Sequence, residues 1–504
     1  MRTIVLAALF CGAALGAFAE FADHAYLPPA AAKADDAEAA RFPLPRAAAA
    51  DLLDAPMPRH EFARLAGRGA ALKAAAADSF PARVAENSPV NLFASALFDA
   101  PVKQDGAVRW CAALSSPGAE ALRLRVDLSG LSEGQRLWLL DASGERTFGP
   151  YEKGAAPRWL PVTLGDTAVL AAESRNGAMP PVMVEALSHF FVPLAGKAEE
   201  LPCPIPADCE TNPAAREVST AVALIIVPQD GGQVLCSGTL LNRAGAPDYA
   251  PLFITAHHCF EDGGVSAEEV DAFWDYRSGS CGAATPDIAW NTLPRSAGTS
   301  LIAHSSRLDA QFLRLDGAPV GVYGRAWAGW DTRPVAVGDA VQGFHCPRGL
   351  PMKTCRGSVI NTGATQCVDL ICSERYELQN EVRWAEGITE AGSSGSGLFF
   401  PAVNYRLGGV LSNGTTHVCG SPENNRDNYS SFADFFPQIA CHLVDGMECA
   451  EGDDTGCLVN KSLGGRHPVT KLFRAVRDNL LAASPEGREF IQKYYEWSSR
   501  LIRP

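Results

Sequence analysis

Metal-ligand spacing is missing from this 504-residue sequence. The adjacent pair His257-His258 cannot set two imidazoles on one helix face, and no two Cys-x-x-Cys units lie close together. A zinc centre is therefore not expected, nor is any other cofactor. Positive charge is in deficit: 43 Lys and Arg stand against 57 Asp and Glu, a formal net charge of -14. Such a chain repels a polyanion, so nucleic acid is not an expected partner, while a cationic substrate meets a favourable field. Beyond the N-terminus no apolar run is long enough to cross a bilayer, and no internal repeat is found.

What is present first is an export signal. Met1 to Ala19 holds Arg2, an apolar stretch and the small-residue site Ala17-Phe18-Ala19. A lipoprotein box at Leu9-Phe10-Cys11 is disfavoured by the short apolar run before Cys11 and by the bulk of Phe10. Export makes disulfides the first reading of the 15 cysteines. The expected location is extracellular, or retained in the periplasm or at the cell surface. At this length two or three domains are expected. Residues 20–84 are rich in Ala, Pro and charge and read as short helices and linker. Leu122, Leu124, Val126 and Leu128 alternate with Arg123, Arg125 and Asp127, a period-two strand signal. Further strand candidates lie near Leu137, Val162, Val169 and Val182, so residues 85–195 read as a small β-rich domain. From 198 to 445 short apolar runs alternate with Gly, Pro and Asn, the pattern of a two-barrel β protein. In the tail, 446–504, Val469, Leu472, Phe473, Val476 and Leu480 share a helical face, and Ser484-Pro485-Glu486 can start a second helix.

Three segments carry chemistry: Thr255-Ala256-His257-His258-Cys259, Leu308-Asp309-Ala310 and Gly392-Ser393-Ser394-Gly395-Ser396. Their order, His then Asp then Ser, is the one chymotrypsin-type serine proteases use. A serine hydroxyl is a poor nucleophile at neutral pH, so an imidazole must take its proton during attack; His258 is assigned that role and Ser394 the attack. The imidazolium then needs a buried carboxylate to hold its tautomer, and Asp309 sits in an apolar, strand-like run. Glycines around Ser394 let the N–H groups of Gly392 and Ser394 converge on the developing oxyanion. A lipase-type elbow is excluded, because Ser396 stands where its second Gly belongs and the residue order differs. A catalytically inactive, protease-like secreted binding protein or adhesin is the alternative reading; its usual mark, loss of a triad residue, is absent.

Residues 198 to 440 resemble the bacterial lysyl endopeptidases, a branch of the chymotrypsin-like, trypsin-like proteases. The resemblance lies in Cys236-Ser237-Gly238-Thr239-Leu240-Leu241-Asn242, Phe253-Ile254-Thr255-Ala256-His257-His258-Cys259, Trp327-Ala328-Gly329-Trp330-Asp331, Thr389-Glu390-Ala391-Gly392-Ser393-Ser394-Gly395-Ser396 and Asn425-Arg426-Asp427-Asn428-Tyr429. It implies that His258, not His257, is the base, leaving His257 as a core or strand-facing histidine. It also implies the disulfides Cys203 to Cys419, Cys209 to Cys281 and Cys236 to Cys259. Local pairs Cys346 with Cys355, Cys367 with Cys372 and Cys441 with Cys449 are further expectations, and Cys457 is the candidate for the odd thiol. Ile388 occupies the position, six residues before the serine, where trypsin-like enzymes carry an Asp. The resemblance assigns the charge of the substrate pocket to Asp427 instead. A desolvated ammonium or guanidinium there needs a carboxylate to replace its water. Stretches near Leu370 and at Leu411-Ser412-Asn413 lack the tryptophan and histidine that related enzymes stack beside the catalytic His. Trp384 is read equally as a cleft wall or a core residue.

The fold expected is mainly β: a chymotrypsin-like double β-barrel protease domain over 198–445, preceded by a β-rich pro-domain and followed by a small helical tail. Residues 1–19 form the signal peptide and 20–197 the propeptide. Cleavage after Lys197, in Ala195-Gly196-Lys197-Ala198, would start the mature enzyme at Ala198. Trypsin's activating amine pairs with an aspartate next to the serine, but Ser393 stands there, so the propeptide is expected to assist folding or cover the cleft. The expected partners are protein or peptide substrates with a basic residue before the cut, and the chain's own propeptide; a monomer is expected.

Overall fold

The strand Val222–Gln229 shows why this chain builds closed sheets. Its eight residues are apolar nearly throughout and all buried, without the alternation of a half-exposed strand. In this computed structural model, residues 20–29, 46–63, 82–192, 203–260, 269–282 and 292–450 are described, apart from short interruptions within those ranges. The signal segment, the Lys197 linker and the tail from 451, with Cys457 and its two expected helices, lie outside the described residues.

Two antiparallel rings follow one another. In the first, Val222–Gln229 pairs with Gly232–Leu241, which pairs with Leu252–Thr255, then Ala310–Leu315, then Thr299–Ser305. The chain through Gly298 continues that last strand backwards into Arg295–Ala297, which pairs with Asp271–Phe273, and this returns to Val222–Gln229. The second ring runs through Ala340–His345, Lys353–Cys367, Arg375–Glu386, Arg426–Ser431, Arg406–Gly414 and Gly397–Phe400, and closes on Ala340–His345. Closure removes exposed edges from each barrel. The domain is the expected double barrel. A crossover with short strands at Arg325–Trp327 and Trp330–Asp331 joins the two. The helix Phe432–Leu443, capped by Ser431 on the N–H of Asp434, packs Phe432 and Phe436 against Trp330.

The preceding domain is β-rich as expected. A six-stranded sheet, centred on Ala107–Ser115, Thr167–Ser174 and Gln135–Asp141, faces strands Ala82–Phe93, Met183–Phe190 and Ala121–Asp127. Their apolar faces meet in one cluster that includes Leu122, Leu124, Val126 and Leu128. The alternation of Ala121–Asp127 has a second meaning, however. Arg123, on the opposite side of the strand from those leucines, is buried because that face meets the first barrel. Its guanidinium donates to Leu160 O at 2.7 Å, to Gln233 Oε1 at 2.9 Å and to the carbonyl of Glu269. Arg295 and Asp271 of the barrel form a buried ion pair that also bonds both Val162 N–H and Val162 O.

The two domains share a sheet. Ala82, Arg83, Ala85 and Glu86 pair with Leu235, Val234, Gln233 and Gly232, so the outer sheet runs unbroken into the first barrel. Gly232 permits that approach: a Cβ there would stand 2.3 Å from Ala85 O. Gly232→Ala is therefore expected to lift Ala82–Glu86 off the barrel. Amide hydrogen exchange should rise at Ala85 and Asn87 and stay slow along Val222–Gln229; unchanged protection at Ala85 would contradict this account.

Candidate active site

Strand Leu252–Thr255 delivers His258 into a one-turn 3-10 helix, His257–Cys259. The turn is pinned from both sides. Cys259 is disulfide-bonded to Cys236 on the neighbouring strand, and Thr255 Oγ1 donates to Ser237 O at 2.8 Å. His258 is buried, and its Nδ1 lies 2.7 Å from Asp309 Oδ2 while its backbone N–H donates to Asp309 Oδ1 at 2.7 Å. Asp309 is not in the strand itself. It precedes Ala310–Leu315 in a left-handed conformation, φ 58°, which a short polar side chain tolerates when it is held locally. The hold is supplied in part by the second barrel, where Ser412 Oγ donates to Asp309 Oδ2 at 2.5 Å.

The turn bearing Ser394 presses on the His segment. A Cβ at Gly395 would lie 2.1 Å from Thr255 Oγ1, 2.3 Å from Ser237 O and 2.8 Å from Ala256 N, so only glycine fits. Ser237 N–H donates to Ser394 O at 2.7 Å, and Gly395 N–H to Leu411 O at 2.8 Å, which ties the turn to both barrels. Peptide planarity then orients the two candidate oxyanion donors. Arg348 N–H donates to Ala391 O at 2.7 Å, so the N–H of Gly392, on the same trans peptide, points the opposite way. Likewise Ser396 N–H donates to Ser393 O at 3.1 Å, directing the Ser394 N–H away from it. Gly392 has φ 95°, and a Cβ would also meet Arg348 N at 3.1 Å and Cys346 O at 3.2 Å. Underneath, Ser393 Oγ is 2.8 Å from His345 Nδ1 and accepts from Glu390 N–H at 3.2 Å, and Ser237 Oγ donates to Gly392 O at 3.0 Å.

Asp427 sits in the second barrel, fully buried, on a strand that pairs it with Gly414 and Val382. Its Oδ2 accepts from Trp384 Nε1 at 2.5 Å and Thr389 Oγ1 at 2.6 Å. Its Oδ1 lies under the exposed Gly414, where a Cβ would stand 1.9 Å from it. A side chain at 414 would thus cover the carboxylate. Thr389, five residues before Ser394, links Asp427 to the nucleophile segment.

Two clusters among the described residues bring Cys and His donors together, Cys236 with His258 and Cys259, and Cys441 with His442 and Cys449. In each the two sulfurs are joined as a disulfide and so offer no thiolate to a metal.

Residues 198–430 match the family described as lysyl endopeptidase, C-terminal domain. The chain is 29% identical over 356 residues to the lysyl endopeptidase of Pseudomonas aeruginosa, an alignment covering 66% of this chain and 74% of that protein. Over its double barrel the chain is similar to the lysyl endopeptidases. Among solved structures, the active form of the Rv3671c protease from M. tuberculosis aligns at 12% identity, covering 51% of this chain and 96% of that one, with a TM-score of 0.33. The serine endoprotease from Yersinia pestis aligns at 15% identity over 46% of this chain and 65% of that one, with a TM-score of 0.29.

In this lysyl endopeptidase-like domain Cys203–Cys419, Cys209–Cys281 and Cys441–Cys449 are also disulfide-bonded. The expected Cys346–Cys355 pair is not formed, and both thiols are free and buried. Register explains it: Cys355 stands opposite Gly343, while Cys346 lies three residues further on, past the end of its strand. Burial pushes the Cys346 thiol up to about 12, and burial with nearby Asp427 raises that of Cys355. Cys367 is disulfide-bonded, and its expected partner Cys372 lies outside the described residues. Of the two readings of His257 the strand-facing one holds: it is half-buried, its Nδ1 lies 2.9 Å from Gln311 Oε1, and its ring stacks on His304 of the next strand at 4.8 Å. Trp384 is a core residue, not a wall, and its indole N–H holds Asp427. An aromatic does stand beside the imidazole of His258: Tyr376, with ring centroids 6.5 Å apart. Sequence reading missed Tyr376, Ser412, Thr389 and His345. Thr389 and Ser412 lie within quoted stretches, yet a hydroxyl there has no signature until the barrels are closed.

The His345–Ser393 contact lies directly beneath the Gly392–Ser394 turn. Ser393→Ala and His345→Ala are each expected to lower kcat about 10- to 100-fold with KM little changed, less than the 10²–10³ lost when an oxyanion donor is removed outright. His345→Asn, which keeps an acceptor near Nδ1, should recover part of it. Steady-state kinetics with active-site titration checks this; an unchanged kcat in Ser393→Ala would remove the positioning role.

Proposed function

We propose that this chain is a secreted serine endopeptidase, made as a zymogen, that cuts after basic residues with lysine preferred and arginine accepted. The observation that carries the specificity is Asp427, buried, braced by Trp384 and Thr389, with the backbone of Gly414 over its Oδ1. A substrate ammonium reaching that carboxylate exchanges its water for a charge-assisted hydrogen bond. Neutral side chains leave the carboxylate desolvated and unmatched, so they are discriminated against.

In the reaction Ser394 Oγ attacks the carbonyl carbon after the basic residue while His258 takes the hydroxyl proton. The imidazolium is stabilised by Asp309, and the oxyanion by the N–H groups of Gly392 and Ser394. His258 then gives the proton to the leaving amine. Water, deprotonated by the same ring, hydrolyses the acyl-enzyme. Export rests on the Met1–Ala19 signal and on the disulfides, which suit an oxidising compartment.

Maturation by cleavage after Lys197 would sever the N-terminal domain, and its docking site supports a covering role. Ala82 pairs with Leu235, whose Cβ lies 3.6 Å from where a Gly392 Cβ would be. The barrel edge next to the oxyanion turn is thereby occupied. Asp427→Asn is expected to reduce kcat/KM on lysyl peptides on the order of 10²–10³, from an uncompensated buried charge pair of about 3–4 kcal/mol, while slow cleavage after neutral residues is kept. A mixed peptide library cut by wild type and Asp427→Asn tests this, and an unaltered basic preference would reject the pocket. Wild type should begin at Ala198 and Ser394→Ala should not; identical termini would show that another protease does the processing.

A further inference from the structure

The first residues after Ala19 do not pack with the N-terminal domain. Phe21–Ala22 pairs with Trp330–Asp331, and Ala25–Leu27 pairs with Arg325–Trp327, so both strands lie on the crossover between the barrels. Glu20 N–H donates to Thr332 Oγ1 at 2.8 Å, and Thr332 N–H donates back to Glu20 O at 3.0 Å. Gly329 N–H donates to His24 Nδ1 at 2.7 Å, which leaves Nε2 as the donor to Asn404 O at 2.6 Å. Burial lowers the pKa of this ring, in keeping with a neutral imidazole. Asp23 pairs with Arg406 at 2.6 Å, its carbonyl accepts from Asn242 Nδ2 at 2.9 Å, and Arg406 lies over the Phe21 ring at 4.0 Å. Ala22 and Ala25 are buried in the core cluster that includes residues of both barrels.

The peptidase body is moulded to this segment. A Cβ at Gly329 would stand 2.3 Å from Ala22 O and 2.9 Å from His24 N. Partners come from the end of the first barrel (Asn242), the crossover (Gly329, Thr332) and the second barrel (Asn404, Arg406), so the segment straps the two halves together. We infer that Glu20–Leu27 is a strand of the mature peptidase, not of the removable domain, and stays bound without a covalent link after the chain is cut. The mature enzyme would then be a two-chain molecule. This rests on the proposed maturation after Lys197. The first lysine beyond the strap is Lys33, in Ala32-Lys33-Ala34, which repeats the lysine-alanine junction of Gly196-Lys197-Ala198. Hydrolysis of the Lys33–Ala34 bond, with one water consumed and a carboxylate and an amine released, would free the strap by the enzyme's own specificity.

The test is native gel filtration of the secreted mature enzyme, followed by intact mass measurement in denaturant. A peptide beginning at Glu20 should co-elute in equal amount with a chain beginning at Ala198; that chain alone would overturn the inference. Gly329→Ala should lose the peptide and unfold at a lower temperature than Gly317→Ala, where an added Cβ meets nothing within 4 Å. Equal peptide retention and equal Tm in the two variants would also overturn it. If Gly329→Ala is not secreted, the double variant Asp23→Ala with His24→Ala, altered on the strap alone, must show the same loss of Tm. A protein secreted as one unbroken chain from Glu20 would refute the Lys197 reading only, and the Tm comparison would then decide the strap.

Discussion

A carboxylate with no exposed surface stands at the seam between two barrels, and the site depends on how that charge is compensated. Asp309 receives its hydrogen bonds from the backbone and ring of His258 in the first barrel and from Ser412 in the second. A hydrogen bond to a charged group contributes about 1.5–3 kcal/mol, and an ion removed from water costs several, so two donors would leave the balance near zero and the third tips it. The two barrels must therefore be correctly apposed for the Asp309 carboxylate to keep all three partners. Barrel apposition and the orientation of His258 become one constraint, and the disulfide Cys236–Cys259 with the glycine contact at Gly395 enforces it from the other side.

The turn around Ser394 is organised without ions at its centre. Ser393 carries a hydroxyl where trypsin's activating amine finds a carboxylate, and that hydroxyl lies 2.8 Å from the buried His345 Nδ1. Backbone donors do the orienting: Arg348 N–H on Ala391 O and Ser396 N–H on Ser393 O. The salt bridge between Arg348 and Glu390, 3.1 Å, joins an exposed guanidinium to a largely buried carboxylate at the edge of the turn. A turn held this way is assembled with the fold. The nearest part of the N-terminal domain is the shared sheet at Gly232–Leu235, beside Gly392.

Much of this was legible in residue types and order. The His, Asp and Ser segments, the glycines about Ser394 and the β-rich halves each leave a local mark, because backbone conformation and period are local properties. What was illegible depends on register and closure. Cys346 and Cys355 look like a local pair until the strands place them three residues out of step. Arg123 is buried only because a second domain covers its side of the sheet. Ser412 and Thr389 are ordinary hydroxyls in sequence, and become supports of Asp309 and Asp427 only when the second barrel is closed. Tyr376 reaches His258 from a hairpin whose neighbouring stretch gave no aromatic signal.

The N-terminal region grips the peptidase body at two places by different chemistry, and that difference bears on which part can leave. At the domain interface Arg123, Arg295, Asp271 and Glu269 are taken out of water together. Burial is the largest influence on Glu269 and raises its pKa against the pull of Trp159 N–H and the nearby arginines, so its desolvation is not fully repaid. Likewise Arg123 is brought down to about 10 by burial. Charges that regain hydration on separation make an interface weaker than its extent suggests. The strap at Glu20–Leu27 is built mainly from ladder bonds, a neutral His24 and buried alanines, with one ion pair at its edge. On release its backbone groups exchange these partners for water, with little charge hydration gained in return, and the buried Ala22 and Ala25 are exposed. The N-terminal domain is thus held by an interface whose buried charges oppose docking, and the strap by contacts that carry little such penalty.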